Sequence, residues 1–237
     1  MLQTLRCPWC GTELAGHRDL IPDDVTREIT LYCADGEGPD ACPFSRTRAW
    51  GAGLPILTVD EQIYRHPPSL LIATVDKLAQ LPWFGFAGML FGRVSSACPR
   101  HGYRHPDLDL RIGCGDRHNT HKPHPAVKAV PVVRLRPPDL IIQDELHLIS
   151  GALGTTVGLF ESAVDELSSW VLPDGGRTGP KIIASTATTK RAAEQVHRLY
   201  ARDLAVFPPQ VLDATDTFFS VEVPVTAGNP GRRYLGV

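Results

Sequence analysis

The sequence predicts an α/β fold, a parallel sheet flanked by helices, with a small metal-stabilised module added to it. Three observations carry this expectation. Three short apolar runs each end abruptly in polar residues, stretches with helical periodicity follow two of them, and six cysteines fall in spaced groups within a chain of 237 residues.

The clearest run is Leu140-Ile141-Ile142-Gln143, which is short, β-branched and uninterrupted, as expected of a parallel strand buried on both faces. Its carboxyl end carries Asp144-Glu145-Leu146-His147. In open α/β sheets the ligand lies beyond the carboxyl ends of the strands, so these side chains project into a crevice while the strand keeps its core burial. In nucleoside triphosphatases an aspartate at such a place holds magnesium, and a neighbouring acid positions the attacking water. The plain alternative is a strand running into a polar loop.

Ser69-Leu70-Leu71-Ile72-Ala73 predicts a second buried strand, ending in Thr74-Val75-Asp76-Lys77. Thr74 there suits either a phosphate grip, its hydroxyl joined by a backbone amide, or an ordinary helix cap. Lys181-Ile182-Ile183-Ala184 predicts the third, ending in Ser185-Thr186-Ala187-Thr188-Thr189. Between the last two runs Val157, Phe160, Val164, Leu167 and Val171 recur at three and four residues, and Ala192, Val196 and Leu199 mark a further helix. A doubly wound sheet would gather all three polar strand ends along one edge.

The N-terminal 50 residues have a different texture. Cys7-Pro8-Trp9-Cys10-Gly11 is a tight turn that lets two thiolates face one metal, and Cys33 and Cys42 follow across a polar loop too poor in apolar residues to pack itself. Four thiolates complete a closed tetrahedral zinc site; the alternative, a redox pair with two incidental cysteines, lacks the surrounding strand-then-helix pattern. The texture changes near residues 50–53. A second cluster, Cys98-Pro99-Arg100-His101 and Cys114 to His121, offers Cys98, His101 and Cys114 with His118 or His121 as a four-ligand zinc site, or else a basic loop with incidental Cys and His. His105 and His124 are in surplus. Leu81 to Phe91, aromatic and glycine-rich, suits core packing or a stacking surface for bases.

The net charge of -2 says little about partners, but its distribution is uneven. Arg93 to Arg136 holds nine Arg/Lys against three Asp, whereas Pro137 to Gly176 holds seven acids and no base. The basic stretch suits either a nucleic-acid footprint or a solvated surface. No apolar run approaches the roughly 18 residues that span a bilayer, and no signal peptide opens the chain, which predicts a cytoplasmic protein without membrane partners. Cysteines in that compartment read as metal ligands rather than disulfides.

In order and spacing, Thr74 to Lys77, Asp144-Glu145-Leu146-His147 and Thr186-Ala187-Thr188 resemble the motifs of a superfamily 2 DExH-box helicase. More narrowly, Leu54 to Glu61, Thr74 to Lys77 and Gln143 to Gly151 resemble the DrmA-type helicases of DISARM anti-phage systems. The resemblance implies a RecA-like first lobe over residues 51–220, interrupted by the Cys/His-rich insertion at about 93–136, after a four-cysteine zinc module at 1–50; residues 221–237 would begin a second lobe cut short. It implies ATP, Mg2+ and Zn2+ as cofactors, and nucleic acid (DNA), the remainder of the helicase and other phage-defence subunits as partners. Asp144 would hold magnesium, Glu145 would orient water, and His147 would link nucleotide to motion. Thr74, Asp76 and Lys77 would lie toward the nucleic acid, and Thr186 and Thr188 would couple the nucleotide site to the nucleic-acid groove. The chain departs from the pattern in one respect: none of its five lysines follows a glycine, so the phosphate-binding Gly-Lys loop is missing and the chain alone is expected to be inactive. Two other classes compete, a metal-dependent nuclease using Asp144, Glu145 and His147 directly on a metal, and a non-catalytic zinc and nucleic-acid-binding module.

Overall fold

The computed structural model describes residues 3–49, 52–74, 77, 80–146, 153–186, 192–209, 211–213, 215–232 and 235; of residues 153–157 and 159 it describes the backbone. The chain divides into two units, Met1–Ala187 and Thr188–Val237.

The first unit begins with a hairpin. Strand β1 (Leu20–Asp23), which follows the short helix α1 (Gly16–Asp19), pairs antiparallel with β2 (Glu28–Leu31). Asp23 closes the turn by accepting the amides of Val25 and Thr26 at 2.8 and 3.1 Å, the local hydrogen bonding for which aspartate is favoured in turns. Leu14, Leu31 and Leu54 are buried beside Cys7, Cys33 and Cys42, with Leu20, Phe44 and Ile56 packed against them. The amide of Leu54 donates to the Leu31 carbonyl at 2.7 Å, so residues just past 50 complete this small core.

Helix α2 (Asp60–Arg65) connects it to a second core. On one side buried Gln62 accepts the Ile29 amide through Oε1 at 3.2 Å. On the other, Arg65 Nη2 donates to Asp109 Oδ1 at 3.1 Å, and Arg104 Nε to Asp109 Oδ2 at 2.8 Å. Asp109 belongs to helix α3 (Pro106–Ile112), which starts where His105 Nδ1 accepts the Asp107 amide and stops at Gly113, whose φ of 68° suits glycine. Around α3 pack Phe86, Met89 and Val94, from and just after the 3-10 turns Leu81–Trp83 and Gly85–Phe91, with Leu108 from α3 itself. Most of the aromatic stretch is therefore core, although Trp83 is exposed. Gly92 must be glycine: at φ 72° a Cβ would lie 2.3 Å from the Leu135 carbonyl oxygen.

The remaining strands form small sheets. β3 (Ser96–Cys98) is flanked antiparallel by β4 (Gly102–Tyr103) and β7 (Val130–Pro131), and β5 (Arg117–His118) pairs antiparallel with β6 (Val127–Lys128). β8 (Leu140–Gln143) pairs parallel with β11 (Lys181–Ala184), Leu140 opposite Lys181 and Gln143 opposite Ala184. Between them lie helix α4 (Leu153–Ser168) and the antiparallel pair β9 (Trp170–Val171) and β10 (Arg177–Thr178). In the second unit, helix α5 (Ala192–Tyr200) buries Ala192 and Val196, and Phe207, Phe218 and Phe219 meet edge to face with ring centroids 5.0 to 5.6 Å apart.

The fold is thus mixed α/β, with no closed barrel among the described residues, and the described strands do not join into the expected extended parallel sheet. Among the strands of the described residues only β8 and β11 pair in parallel; the other sheets are antiparallel and small. Residues 69–73, expected as a buried strand, pair with no other strand among the described residues, and Leu70 and Ile72 are 74 % and 85 % exposed. The physical reason is edge valence. A strand is buried on both faces only inside a covered sheet, and a strand with one ladder neighbour leaves its apolar side chains open, as Leu140, Ile142 and Ile183 are. The helix after β8 also stops earlier than its periodicity suggests, leaving Val171 in β9 and exposed. In residues 221–237, expected to begin a second lobe, the described residues show an isolated bridge from Val221 to Asp216 and no strand.

The Arg65–Asp109–Arg104 triad generates a test of how the second core is held. The Arg65 and Asp109 side chains are 5 % and 11 % exposed, so Asp109→Ala leaves the buried Arg65 guanidinium without its carboxylate, while Arg104 keeps Asp116. The expected loss is about 3 kcal/mol. Urea unfolding of wild type and variant measures it, and a loss below about 1 kcal/mol would show that the triad is solvated.

Candidate metal centres and the acidic strand end

The structure brings the N-terminal cysteines together from two turns. In the first, the Gly11 amide donates to the Cys7 carbonyl at 2.9 Å and the Cys7 amide to the Thr12 carbonyl at 2.8 Å, a tight loop that Gly11 permits at φ 78°. In the second, Cys33 leaves the end of the hairpin, the Ser45 amide donates to the Cys42 carbonyl at 3.0 Å, and the Asp35 amide points at Cys33 Sγ at 3.4 Å. Cys7, Cys10, Cys33 and Cys42 then present sulfurs that all lie within 4.8 Å of one another, the Cys7–Cys42 and Cys10–Cys33 pairs being 3.9 and 3.4 Å apart. Four sulfurs about 2.3 Å from a tetrahedral zinc would be separated by about 3.8 Å. The cysteines are free thiols.

Electrostatics favours a cation at their centre. Burial pushes the Cys33 and Cys42 thiols up, because a thiolate loses hydration there. Cys10, on the exposed rim, goes the other way: its hydrogen bonds with Thr12, the hydroxyl lying 3.2 Å from Sγ, bring it down to about 6. A divalent metal offsets the cost of thiolate formation at all four positions, which fits the donor set.

The second group is Cys98, His101, Cys114 and His118, whose ligand atoms likewise lie within 4.8 Å of one another. Cys98 ends β3, His101 follows in the turn to β4, Cys114 follows the glycine that ends α3, and His118 ends β5. His101 Nδ1 lies 3.5 Å from Cys98 Sγ and 3.2 Å from Cys114 Sγ, while its Nε2–H donates to the Val25 carbonyl at 3.0 Å. That outer hydrogen bond fixes the tautomer with the Nδ1 lone pair facing the sulfurs, as metal-ligating histidines require. His118 Nε2 stands 3.5 Å from Cys114 Sγ. Burial lowers both histidines, keeping the rings neutral, and raises the Cys114 thiol to about 12. Of the alternatives in the sequence, His118 joins the group. His121 is exposed and bridges His124 through the backbone, His124 pairs with Asp23 at 2.8 Å, and His105 caps α3.

The acid pair lies at the carboxyl end of β8. Asp144 Oδ1 accepts the Glu145 amide at 3.0 Å and the Ser185 hydroxyl, and the Leu146 amide donates to the Ser185 carbonyl at 2.9 Å. Glu145 takes a left-handed conformation, φ 55°, unusual for a residue with a side chain and frequent at functional turns. Both acids are exposed. Thr186 follows Ser185 and is half-buried, Thr74 is exposed, and Lys77 Nζ pairs with Asp60 at 2.6 Å. Asp76, His147 and Thr188 lie outside the described residues. Sequence reasoning passed over Ser185; the signal was the parallel register, which sets the residue after Ala184 beside the residue after Gln143. It also passed over Val25, whose role is played by a backbone carbonyl that any residue supplies.

Together these features define a mixed α/β protein with two Cys/His groups able to hold a metal ion such as zinc. The chain is a DrmA-type relative: it is 38% identical over 239 residues to the DISARM protein DrmA of Bacillus paralicheniformis, a match that covers 99% of this chain. The chain spans 20% of that protein's length. No protein-family model matches it. No helix among the described residues is long and apolar enough to cross a membrane.

The two groups predict about two tightly held zinc ions per chain. Mass-spectrometric metal counting should find one fewer in Cys7→Ser/Cys10→Ser and one fewer in His118→Ala. Two ions retained by His118→Ala would remove His118 from the ligand set.

Proposed function

We propose that this chain contributes part of an ATP-dependent nucleic-acid helicase or translocase to a DISARM-type phage-defence system. The observation that carries the proposal is the acid pair at the carboxyl end of a parallel strand, with Asp144 tied to Ser185 at the end of the adjacent strand, in a chain 38% identical to a DISARM protein. In this reading β8 and β11 are neighbouring strands of a RecA-like sheet, residues 51–220 are part of its first lobe, and the two metal groups hold zinc structurally. The protein works in the cytoplasm on DNA, with the remaining parts of the motor and other defence subunits as partners.

The roles follow from position. Asp144, held through Oδ1 by Ser185 and the Glu145 amide, would present its carboxylate to magnesium, which would neutralise phosphate charge during transfer. Glu145 is exposed, and its carboxylate would orient or activate water. His147, Thr186 and Thr188 would couple the nucleotide site to the strand, with Thr74, Asp76 and Lys77 toward the nucleic acid. The nuclease reading has less support: among the described residues the groups able to hold a metal are the two Cys/His sets, and neither includes Asp144 or Glu145.

The chain alone should hydrolyse ATP at background rate, because its sequence has no Gly-Lys loop to cradle the phosphates. In the complete motor, Glu145→Gln should lower ATP turnover by about 100-fold or more while leaving ATP affinity within a few-fold, since it removes the base and keeps the shape. Thr186→Ala/Thr188→Ala should keep much of the turnover and lose duplex unwinding. Turnover and unwinding assays on both variants check this, and parental turnover in Glu145→Gln would defeat the assignment.

A further inference from the structure

The hairpin that supplies His118 carries a second feature that neither metal group uses. In β5 and β6 the Cα partners are Arg117 with Lys128 and His118 with Val127. Successive residues of a strand face opposite ways. Because His118 turns inward to Cys114, Arg117 and Lys128 stand side by side on the outer face, and both are exposed. Like charges directly opposite each other across an antiparallel pair repel. No ion pair among the described residues engages either one, or Lys122 in the exposed loop that joins the strands.

The acids nearby are committed elsewhere. Asp116 is held by Arg104 Nη1 at 2.6 Å, and that hydrogen bond, with Lys128 a minor contributor, keeps its carboxyl below the usual range. Asp23 is held by His124 and by the turn amides of Val25 and Thr26. The hairpin is also fixed in place before any partner arrives. Arg100 Nη2 donates to the carbonyls of Asn119 and Pro125 at 2.9 and 2.8 Å, clamping both sides of the loop. His118 roots the first strand in the second metal group.

We infer that this outer face, Arg117 and Lys128 with Lys122 in the connecting loop, is a contact surface for nucleic-acid phosphates. A pre-organised row of unpaired cations repels itself and is relieved by a polyanion that brings charge at regular spacing, with release of counterions. The choice of nucleic acid among polyanions rests on the motor reading above; the basic face does not. The contacts are to phosphate, so they give affinity and orientation without base sequence.

The test is fluorescence anisotropy of the zinc-loaded chain with a labelled random-sequence DNA duplex, without nucleotide, across a potassium chloride series. Arg117→Gln/Lys122→Gln/Lys128→Gln should weaken binding at least tenfold and make the slope of log affinity against log salt shallower by about 3, about one unit for each cation removed. A charge-matched control on the first module, Arg6→Gln/Arg27→Gln/Arg46→Gln, should stay within about twofold of wild type. Lys128→Gln alone should shift the slope by about 1, and zinc content equal to wild type shows that each variant is folded. Unchanged affinity and slope in the triple variant would overturn the inference. So would an equal loss in the control, or displacement of the DNA by polyglutamate at matched charge. Because no ATP is present, failure of Glu145→Gln to affect turnover would leave this result standing, and failure here would leave the Asp144 and Glu145 reading standing.

Discussion

Burying thiols and imidazoles beside only small apolar clusters is the constraint on which the first unit depends. In the N-terminal core three of the six buried residues are cysteines, Cys7, Cys33 and Cys42, and in the second metal group Cys98, His101 and Cys114 are buried. Polar ligands at such positions cost stability unless something satisfies them. A tetrahedral cation would do so while tying together turns distant in sequence. Leu14, Leu31 and Leu54 pack with the first set of cysteines, whereas Phe86, Met89, Val94 and Leu108 form an apolar cluster of their own.

The two metal groups are also joined through protein. The His101 ring bonds the Val25 carbonyl in the turn of the first hairpin, His124 pairs with Asp23 in the same turn, and Gln62 bonds the Ile29 amide in β2. Arg65, one turn of helix beyond Gln62, reaches Asp109 in α3 beside the second group. Helix α2 is only six residues long, yet each of its faces serves a different cluster. Hydrogen bonds thereby link the backbone around one candidate metal group to the residues around the other. The charged hairpin is carried by the same framework through His118.

How much of this was readable in the sequence depends on whether the signal was local. The Cys7–Cys10 spacing and the grouping of Cys33 with Cys42 are local, and the structure draws the same four residues together. Leu140–Gln143 and Lys181–Ala184 were readable as strands because β-branched runs carry their own preference, although the burial expected of them does not appear. Ser69–Ala73 has a similar composition and is not a strand, because a ladder partner is a non-local property that composition does not encode. The choice of His118 over His121 turned on the pairing of β5 with β6, and Ser185 on the register of β8 with β11. In the Arg65–Asp109–Arg104 triad, Arg65 and Asp109 are 44 positions apart, so neither charge pattern nor spacing announced it.

Zinc K-edge X-ray absorption on the purified chain tests most directly the claim that two different metal groups organise the first unit. One site of four cysteines and one of two cysteines and two histidines average to about three sulfurs near 2.3 Å and about one nitrogen near 2.0 Å per zinc. That mixed shell, moving to about four sulfurs in His118→Ala as the second site empties, is the expected result. A first shell of sulfur alone in the wild type, or one dominated by oxygen, would contradict the account.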